Sequence, residues 1–125
     1  MDMSDMKDFT IPEDNSILCA ANSYISKFYL NPVYDKLPQF LKEELQKICV
    51  SLTEEAGGIA VMSFDEDGEL SINSFCDESD YYYDNVSAGL LINVIERENR
   101  ELFHNMCDYY RMKFLNLAPL YEEEE

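Results

Sequence analysis

The hydrophobic pattern of the chain changes between residues 57 and 68, where the sequence reads Gly57-Gly58-Ile59-Ala60-Val61-Met62-Ser63-Phe64-Asp65-Glu66-Asp67-Gly68. The two glycines favour the end of a helix, because glycine tolerates the left-handed conformation of a C-terminal cap. The apolar run after them is short and almost continuous, as in a buried strand. An acidic turn comes next, and Leu70 and Ile72 then alternate with polar residues. We therefore predict a β-hairpin over residues 59–75.

The acidic turn of this hairpin also resembles part of a calcium loop. With Gly68 at the sixth position of an EF-hand, Asp65 and Asp67 fall on ligand positions. The first carboxylate and the bidentate glutamate of such a loop are missing, since Ser63 and Ser74 stand there. We therefore interpret the segment as a turn and predict no metal site in it.

A helix is predicted immediately before the hairpin. Pro38 suits its first turn, and Glu43 and Lys47 form a favourable pair four residues apart on its polar side. Its apolar stripe recurs at steps of three and four residues: Leu41, Leu45, Ile48, Leu52 and Ala56. Gly57-Gly58 is its expected end.

Another helix is predicted nearer the N-terminus, between Pro12 and Asn31-Pro32. Asp14 or Asn15 can accept hydrogen bonds from the free backbone N–H groups at its start. Apolar residues then follow at helical spacing: Ile17, Leu18, Ala21, Tyr24, Ile25 and Phe28. The residue before a proline disfavours the helical conformation, so we expect this helix to stop at Asn31.

The C-terminal third of the chain is interpreted as one long helix over residues 85–115. The apolar residues of its first half are Val86, Leu90, Leu91, Val94 and Ile95. Six polar residues, Glu96–Glu101, then interrupt the apolar stripe, which predicts a bend, a split or a projection past the core. A competing interpretation makes Leu90–Ile95 a third strand. Helix is favoured, because no turn residue separates that segment from the residues after it.

These elements predict an α+β fold with two N-terminal helices, one antiparallel β-hairpin and one long, bent C-terminal helix. The length of 125 residues suits a single domain. We place that domain at residues 12–117, preceded by a flexible acidic arm at 1–11 and followed by an acidic tail at 118–125.

The chain carries 26 acidic and 9 basic residues, for a net charge of −17. Nucleic-acid affinity comes largely from Lys and Arg that neutralise phosphates, so neither nucleic acid nor an anionic membrane is an expected partner. No apolar run approaches the roughly 20 residues of a membrane-spanning helix. The four cysteines are spaced about thirty residues apart without a C-x-x-C pair. Reduced, buried thiols in a cytoplasmic protein are the expectation, with no metal and no cofactor.

The most unusual segment is the acidic, tyrosine-rich loop between the hairpin and the long helix. Its carboxylates, from Asp77, Glu78, Asp80 and Asp84, suit either a hard cation or a solvated loop, and we favour the solvated loop. Its three consecutive tyrosines, Tyr81, Tyr82 and Tyr83, cannot all point inward. At least one is expected at the surface, and tyrosine is enriched at protein interfaces. These seven residues are the predicted interaction site. The alternative is that the tyrosines cover the edge of the sheet and lead the chain into the helix.

A helical triplet, His104, Cys107 and Asp108, has the spacing of a thiol beside a base. Cys107 fits better as a core residue beside Phe103 and Tyr110, so we predict no catalytic residue there. Phosphate-binding glycine loops, serine nucleophile elbows and HExxH zinc motifs are absent from the sequence.

The order of these features resembles small acidic bacterial proteins of unknown function over residues 12–117. The resemblance lies in the helix before Asn31-Pro32, the helix that ends in Gly57-Gly58, the acidic hairpin, and the long helix with Leu102-Phe103 and Tyr109-Tyr110. It implies no activity, cofactor or site residue.

The function that these observations favour is a non-catalytic, cytoplasmic protein-interaction module. One alternative is a small enzyme or ligand-binding protein that uses the Asp77–Asp84 loop. A third is an acidic mimic that inhibits a basic protein. The partner is either another protein or a second copy of the chain. A lone two-stranded sheet is marginal in water and has two open edges, so hairpin 59–75 needs cover. A homodimer through this hairpin would provide it, and the alternative is that the three helices cover the hairpin on their own.

Overall fold

A four-stranded antiparallel sheet with helices packed on one of its faces forms the protein. The computed structural model describes residues 14–121, so the predicted arm at 1–11 and the last four glutamates of the predicted tail lie outside the described residues. The elements are β1 Ile17–Asn22, β2 Lys27–Leu30, a 3-10 turn Pro32–Tyr34, α1 Gln39–Ala56, β3 Ile59–Phe64, β4 Leu70–Phe75, α2 Asn85–Glu98, α3 Arg100–Tyr110 and a π-helical turn Arg111–Leu115. The α+β class is confirmed, but two N-terminal helices with a single hairpin is wrong.

The predicted N-terminal helix is instead the hairpin β1–β2. Its strands pair antiparallel, with Ala21 opposite Phe28. The connecting turn is held by the Asn22 Oδ1 atom, which accepts a hydrogen bond from the backbone N–H of Tyr24 at 2.9 Å. Ser26 adopts a φ of +53° in the same turn. An Asx turn followed by a left-handed residue reverses the chain where a helix would continue it.

The helical prediction failed because β1 is buried on both faces of the sheet. Leu18, Cys19, Ala20 and Ala21 are all at most 4% exposed, so their apolar run is continuous and does not alternate. A short continuous run fits a helix and a central strand equally well. Strand order β2-β1-β3-β4 places β1 inside the sheet, where such a run belongs.

The main core lies between the sheet and the helices. β1, β3 and β4 face the helices with residues that pair across the strands, such as Cys19 with Met62 and Met62 with Ile72. On the opposite face, Ala20, Ile59 and Val61 form a smaller buried cluster with Ile17, Tyr24 and Tyr29 packed against it. The two clusters explain why β3 is apolar at nearly every position.

The helix predicted before the hairpin is present as α1. Four residues of its predicted stripe, Leu45, Ile48, Leu52 and Ala56, are buried against the sheet. Gly57 follows with a φ of +83°, and its N–H donates to the Thr53 carbonyl oxygen at 2.8 Å. The glycine pair therefore ends the helix as the sequence indicated.

The long C-terminal helix is split at Asn99, within the polar run Glu96–Glu101. Asn99 has φ −117° and ψ 27°, and its side-chain amide donates to the Ile95 carbonyl oxygen at 2.9 Å. Helices α2 and α3 meet at this residue. The π-helical turn follows α3 and is capped by Asn116, which has a φ of +54°. Among the helices of residues 14–121, none combines the length and apolarity needed to cross a lipid bilayer.

The hairpin of β3 and β4 is present with the predicted turn, but it does not form a sheet alone. Asp65 Oδ1 accepts from the N–H groups of Asp67 and Glu69, and Gly68 has a φ of +88°. Because β3 pairs with β1 on its other side, β2 and β4 are the edge strands within residues 14–121. The dimer through hairpin 59–75 was expected from a two-stranded sheet; that sheet is wrong, and the dimer itself stays a prediction.

Candidate interaction surface

The loop between β4 and α2 is fixed to the rest of the fold by hydrogen bonds to Tyr24. The Tyr24 hydroxyl donates to Asp80 Oδ2 at 2.6 Å and accepts from the backbone N–H of Asp77 at 2.9 Å. Burial, assisted by the bond to Asp80, raises the pKa of Tyr24 to about 12. The turn of the first hairpin therefore positions the predicted interaction loop. Because Tyr24 was predicted to lie in a helix, this contact was not predicted.

Three of the four predicted carboxylates have structural roles in this loop. Asp77 is 2% exposed, and its Oδ1 atom accepts from the N–H and hydroxyl of Ser79 at 2.9 and 2.8 Å. Asp80 accepts from Tyr24 and, through Oδ1, from the Tyr82 N–H at 2.9 Å. Within residues 14–121 no three metal-ligating side chains come together.

Asp84 is the N-cap of α2. Its carboxylate accepts from the Ser87 N–H at 2.9 Å and from the Ser87 hydroxyl at 2.7 Å, and these bonds lower the pKa of Asp84. The Asp84 N–H donates to the Ala56 carbonyl oxygen at 3.0 Å, which ties the start of α2 to the end of α1. Of the predicted acidic residues, only Glu78 is exposed and without a role in holding the loop.

The three tyrosines separate into one structural residue and two surface residues. Tyr83 is half-buried, and its hydroxyl donates to Ser74 Oγ at 2.7 Å. Tyr81 is 93% exposed and Tyr82 is 96% exposed. The expectation that at least one of them lies at the surface is confirmed, and two adjacent aromatic side chains project into solvent.

Two further exposed apolar residues lie on α2, although the sequence pattern had placed both in the apolar stripe. Val86 is 68% exposed and Leu90 is 64% exposed, one helical turn apart. The buried residues of the helix, Ala88 and Ile95, lie on the opposite side at 100° per residue. The spacing in the sequence therefore already separates Val86 and Leu90 from the buried Ala88 and Ile95. Together Tyr81, Tyr82, Val86 and Leu90 form what we call the aromatic–aliphatic patch.

Exposed acids accompany this patch. Because Asp84 bonds to Ala56, the end of α1 with Glu54 and Glu55 lies beside the loop that carries Glu78. Between Lys47 and Arg97 the chain has no Lys, Arg or His. The segments that build the patch therefore carry carboxylates and no cationic residue.

The His104, Cys107 and Asp108 triplet does not form an activated thiol. The Cys107 sulfur accepts from the Leu70 N–H at 3.1 Å, and burial raises the pKa of the thiol to about 11, which keeps it protonated at neutral pH. The His104 ring stacks on Tyr121 with centroids 3.7 Å apart. Asp108 accepts the N–H groups of Leu120 and Tyr121. His104 and Asp108 therefore hold the C-terminal segment against α3, while Cys107 contacts the start of β4.

Comparison with other proteins gives a family without an activity. No curated protein and no solved structure matches the sequence. Over residues 15–118 the sequence matches the model of a family of unknown function, DUF6145, and the chain belongs to that family.

Proposed function

We propose that the protein is a non-catalytic interaction module that binds a basic segment of another protein through the aromatic–aliphatic patch. The observation that carries the proposal is the exposure of four large side chains within ten residues, from 64% for Leu90 to 96% for Tyr82. Tyrosines supply much of the energy at protein interfaces, and contiguous exposed apolar groups mark such interfaces.

The loop that carries the tyrosines is held in place before any partner binds. Tyr24 bonds to Asp80, Asp80 bonds to the Tyr82 backbone, and Asp84 caps α2 immediately before Val86. Ordering a loop and its side chains on binding costs free energy, so a surface fixed beforehand binds more tightly than a mobile one. This arrangement supports recognition more than simple solubility.

Charge complementarity determines the kind of partner. Segment 57–86 has eight acidic residues and no basic residue, and the whole chain carries −17. A partner segment that combines apolar side chains with Lys or Arg would cover the patch and neutralise its surroundings. An acidic segment would be repelled, and a neutral segment would leave the carboxylates without cationic partners.

A catalytic use of the same loop has less support. Asp77, Asp80 and Asp84 use their carboxylates in loop and cap hydrogen bonds. In the part of the chain that the structure describes, two of the cavities, the cleft between the first hairpin and α1 and the groove beside α3, have none of the loop carboxylates among their lining residues. An enzyme needs such groups to converge on a cavity.

The test is binding of a fluorescently labelled synthetic amphipathic peptide of Leu and Lys, measured by anisotropy. We expect wild-type protein to bind it, and to bind it more weakly as salt is raised. The double variant Tyr82→Ser, Leu90→Gln should lose at least about tenfold in affinity, since two exposed anchors are removed. A matched peptide of Leu and Glu should not bind.

The control variant is Phe40→Ser, because Phe40 is also a large exposed apolar residue, 69% exposed, but lies on the first turn of α1. Equal affinities of the double variant and the Phe40 variant would overturn the proposal. Size exclusion with light scattering on the same proteins identifies the other possible occupant. A wild-type dimer that the double variant converts to a 14.6 kDa monomer would show that the patch binds a second copy instead.

A further inference from the structure

A groove of about 430 Å³ opens at the junction of α2 and α3, away from the aromatic–aliphatic patch. Its apolar part is formed by Leu70 at the start of β4 and by Phe103 of α3. Arg97, in the last turn of α2, and Arg100, the first residue of α3, line it from the two sides of the break at Asn99. The split of the predicted long helix thus brings two arginines to one groove.

The guanidinium groups of Arg97 and Arg100 have no hydrogen-bond or ion-pair partner within residues 14–121. The third arginine, Arg111, behaves differently: it donates to the carbonyl oxygens of Ala118 and Asp67 at 2.8 and 2.6 Å. Among the described residues, therefore, only the third arginine takes part in holding the fold together.

The carboxylates that line the groove do not satisfy these arginines. Glu69 Oε1 accepts from the Tyr121 hydroxyl at 2.5 Å, and Glu69 Oε2 accepts from the Cys107 thiol at 3.7 Å. Glu96 lies four residues before Arg100 but forms no ion pair with either arginine within residues 14–121. The lining thus carries two glutamates and two arginines, and within residues 14–121 neither carboxylate pairs with a guanidinium group, so a bound anion would not have to displace one.

We propose that this groove binds a small organic oxyanion, with its carboxylate or phosphate group on Arg97 and Arg100 and its apolar body on Leu70 and Phe103. A guanidinium presents planar, paired donors that match both oxyanions. The groove has the volume of a small-molecule site, and it joins an apolar lining to a few convergent polar groups. His104 stands at its edge with its ring held flat against Tyr121. This proposal is independent of the interaction patch.

The experiment uses two probes that share a phenyl ring, benzoate and phenyl phosphate. Benzamide, which has the same ring but no charge, is the matched control ligand. Binding to the full chain is measured by calorimetry and by chemical-shift changes of the backbone amides. We expect at least one oxyanion to bind and to shift the amides of residues 69–70 and 96–104, whereas benzamide does not. Whichever probe binds more tightly, benzoate or phenyl phosphate, identifies the preferred oxyanion as a carboxylate or a phosphate.

The double variant Arg97→Gln, Arg100→Gln should weaken the bound probe at least about tenfold, because charge-assisted hydrogen bonds are lost. Both positions are exposed, so the variant is expected to fold. Lys36→Gln removes one exposed positive charge elsewhere and should leave the affinity unchanged. The proposal is overturned if neither oxyanion binds, if benzamide binds equally, or if the arginine variant binds as well as wild type.

Discussion

At Gly58 the backbone comes too close to its neighbours for any side chain. A Cβ atom there would lie 2.1 Å from the Phe75 carbonyl oxygen and 3.1 Å from the Tyr83 ring, and the φ of +74° is strained for other residues. We expect Gly58→Ala to lower the free energy of unfolding by about 2–4 kcal/mol, because backbone must move to relieve the contact. Urea unfolding followed by circular dichroism measures the change.

Gly89 supplies the matched control for that substitution. It lies inside α2, and a Cβ atom added there would have no neighbouring heavy atom within 4 Å. Gly89→Ala should therefore raise the free energy of unfolding by about 0.5–1 kcal/mol. The same chemical change is expected to have opposite signs at the two positions. Equal effects would contradict the close approach at Gly58.

Tyr24 predicts a loss of stability at alkaline pH. Its pKa is raised to about 12 in the folded protein, mainly by burial and then by the bond to Asp80, against about 10 in the unfolded chain. The unfolded state therefore loses its proton first, so the stabilisation is complete below about pH 10 and is lost as pH rises towards about 12. Chemical unfolding across this range should show the decline.

The variant Tyr24→Phe isolates this contribution. It removes the hydroxyl and with it the hydrogen bonds to Asp80 and Asp77, which should cost about 1–2 kcal/mol near neutral pH. The alkaline decline should be smaller in the variant but still present, because burial also raises the pKa of Tyr34 and Tyr110. An unchanged alkaline profile would show that Tyr24 titrates like an exposed tyrosine.

At this scale the sequence showed which residues form the surface loop but not what each one does. Three adjacent tyrosines cannot share one direction, so an exposed member was predictable. Tyr83 is the half-buried member because it contacts Ser74 and Gly58, which are distant in sequence. Likewise, the partner of Asp80 is Tyr24, and no local pattern identifies a bond across that separation.

At the scale of elements, the reactivity of the cysteine thiols measures whether α1 and α3 stay packed on the sheet. Cys49 of α1 meets Cys19 of β1 with sulfurs 3.7 Å apart, and Cys107 of α3 contacts β4; all three are at most 1% exposed. Only Cys76 is partly exposed, and burial raises its pKa. With Ellman's reagent we expect one slowly reacting thiol in native protein and four in urea.

The variant Cys76→Ser should remove the native reaction and leave three thiols that react only on unfolding. A second thiol that reacts in the folded protein at the rate of Cys76 would contradict the packing of α1 or α3 on the sheet. The reaction rate of the remaining three then measures how often the helices open.

Helix α1, which is buried on one face, was predictable, whereas strand β1, which is buried on both faces, was not. Strand β3 is also buried on both faces, but the glycine pair before it and the acidic turn after it marked it as a strand. The stripe of α1 and its glycine end are visible in the sequence, because only a helix satisfies steps of three and four. β1 gives no such period, since its residues pack into the main core on one side and against Ile59 and Val61 on the other. The error there removed half of the sheet from the prediction.

At the scale of the whole molecule, the excess of negative charge should weaken the fold at low salt. With a net charge of −17, carboxylates repel one another in the folded state more than in the expanded chain. Salt screens exposed charges over about 10 Å at 0.1 M. We therefore expect the melting temperature to rise between about 0.01 M and 0.15 M NaCl.

Potassium chloride should raise the melting temperature equally, because screening does not depend on which monovalent cation is present. A temperature that is flat or falls with salt would mean that the carboxylates are already compensated. A rise with one cation only would indicate specific binding.

The strand order also bears on how fast the chain folds. Each hairpin pairs neighbours in sequence, but Ala20 and Val61, which pair between β1 and β3, are roughly forty residues apart, with all of α1 between them. Closing a loop of that length is entropically costly, and non-local pairing slows folding. A helix already formed in the intervening segment shortens the path to be closed. The folding rate should therefore follow the intrinsic helicity of α1, and exposed substitutions such as those at Glu54 or Glu55 would change it without touching a strand.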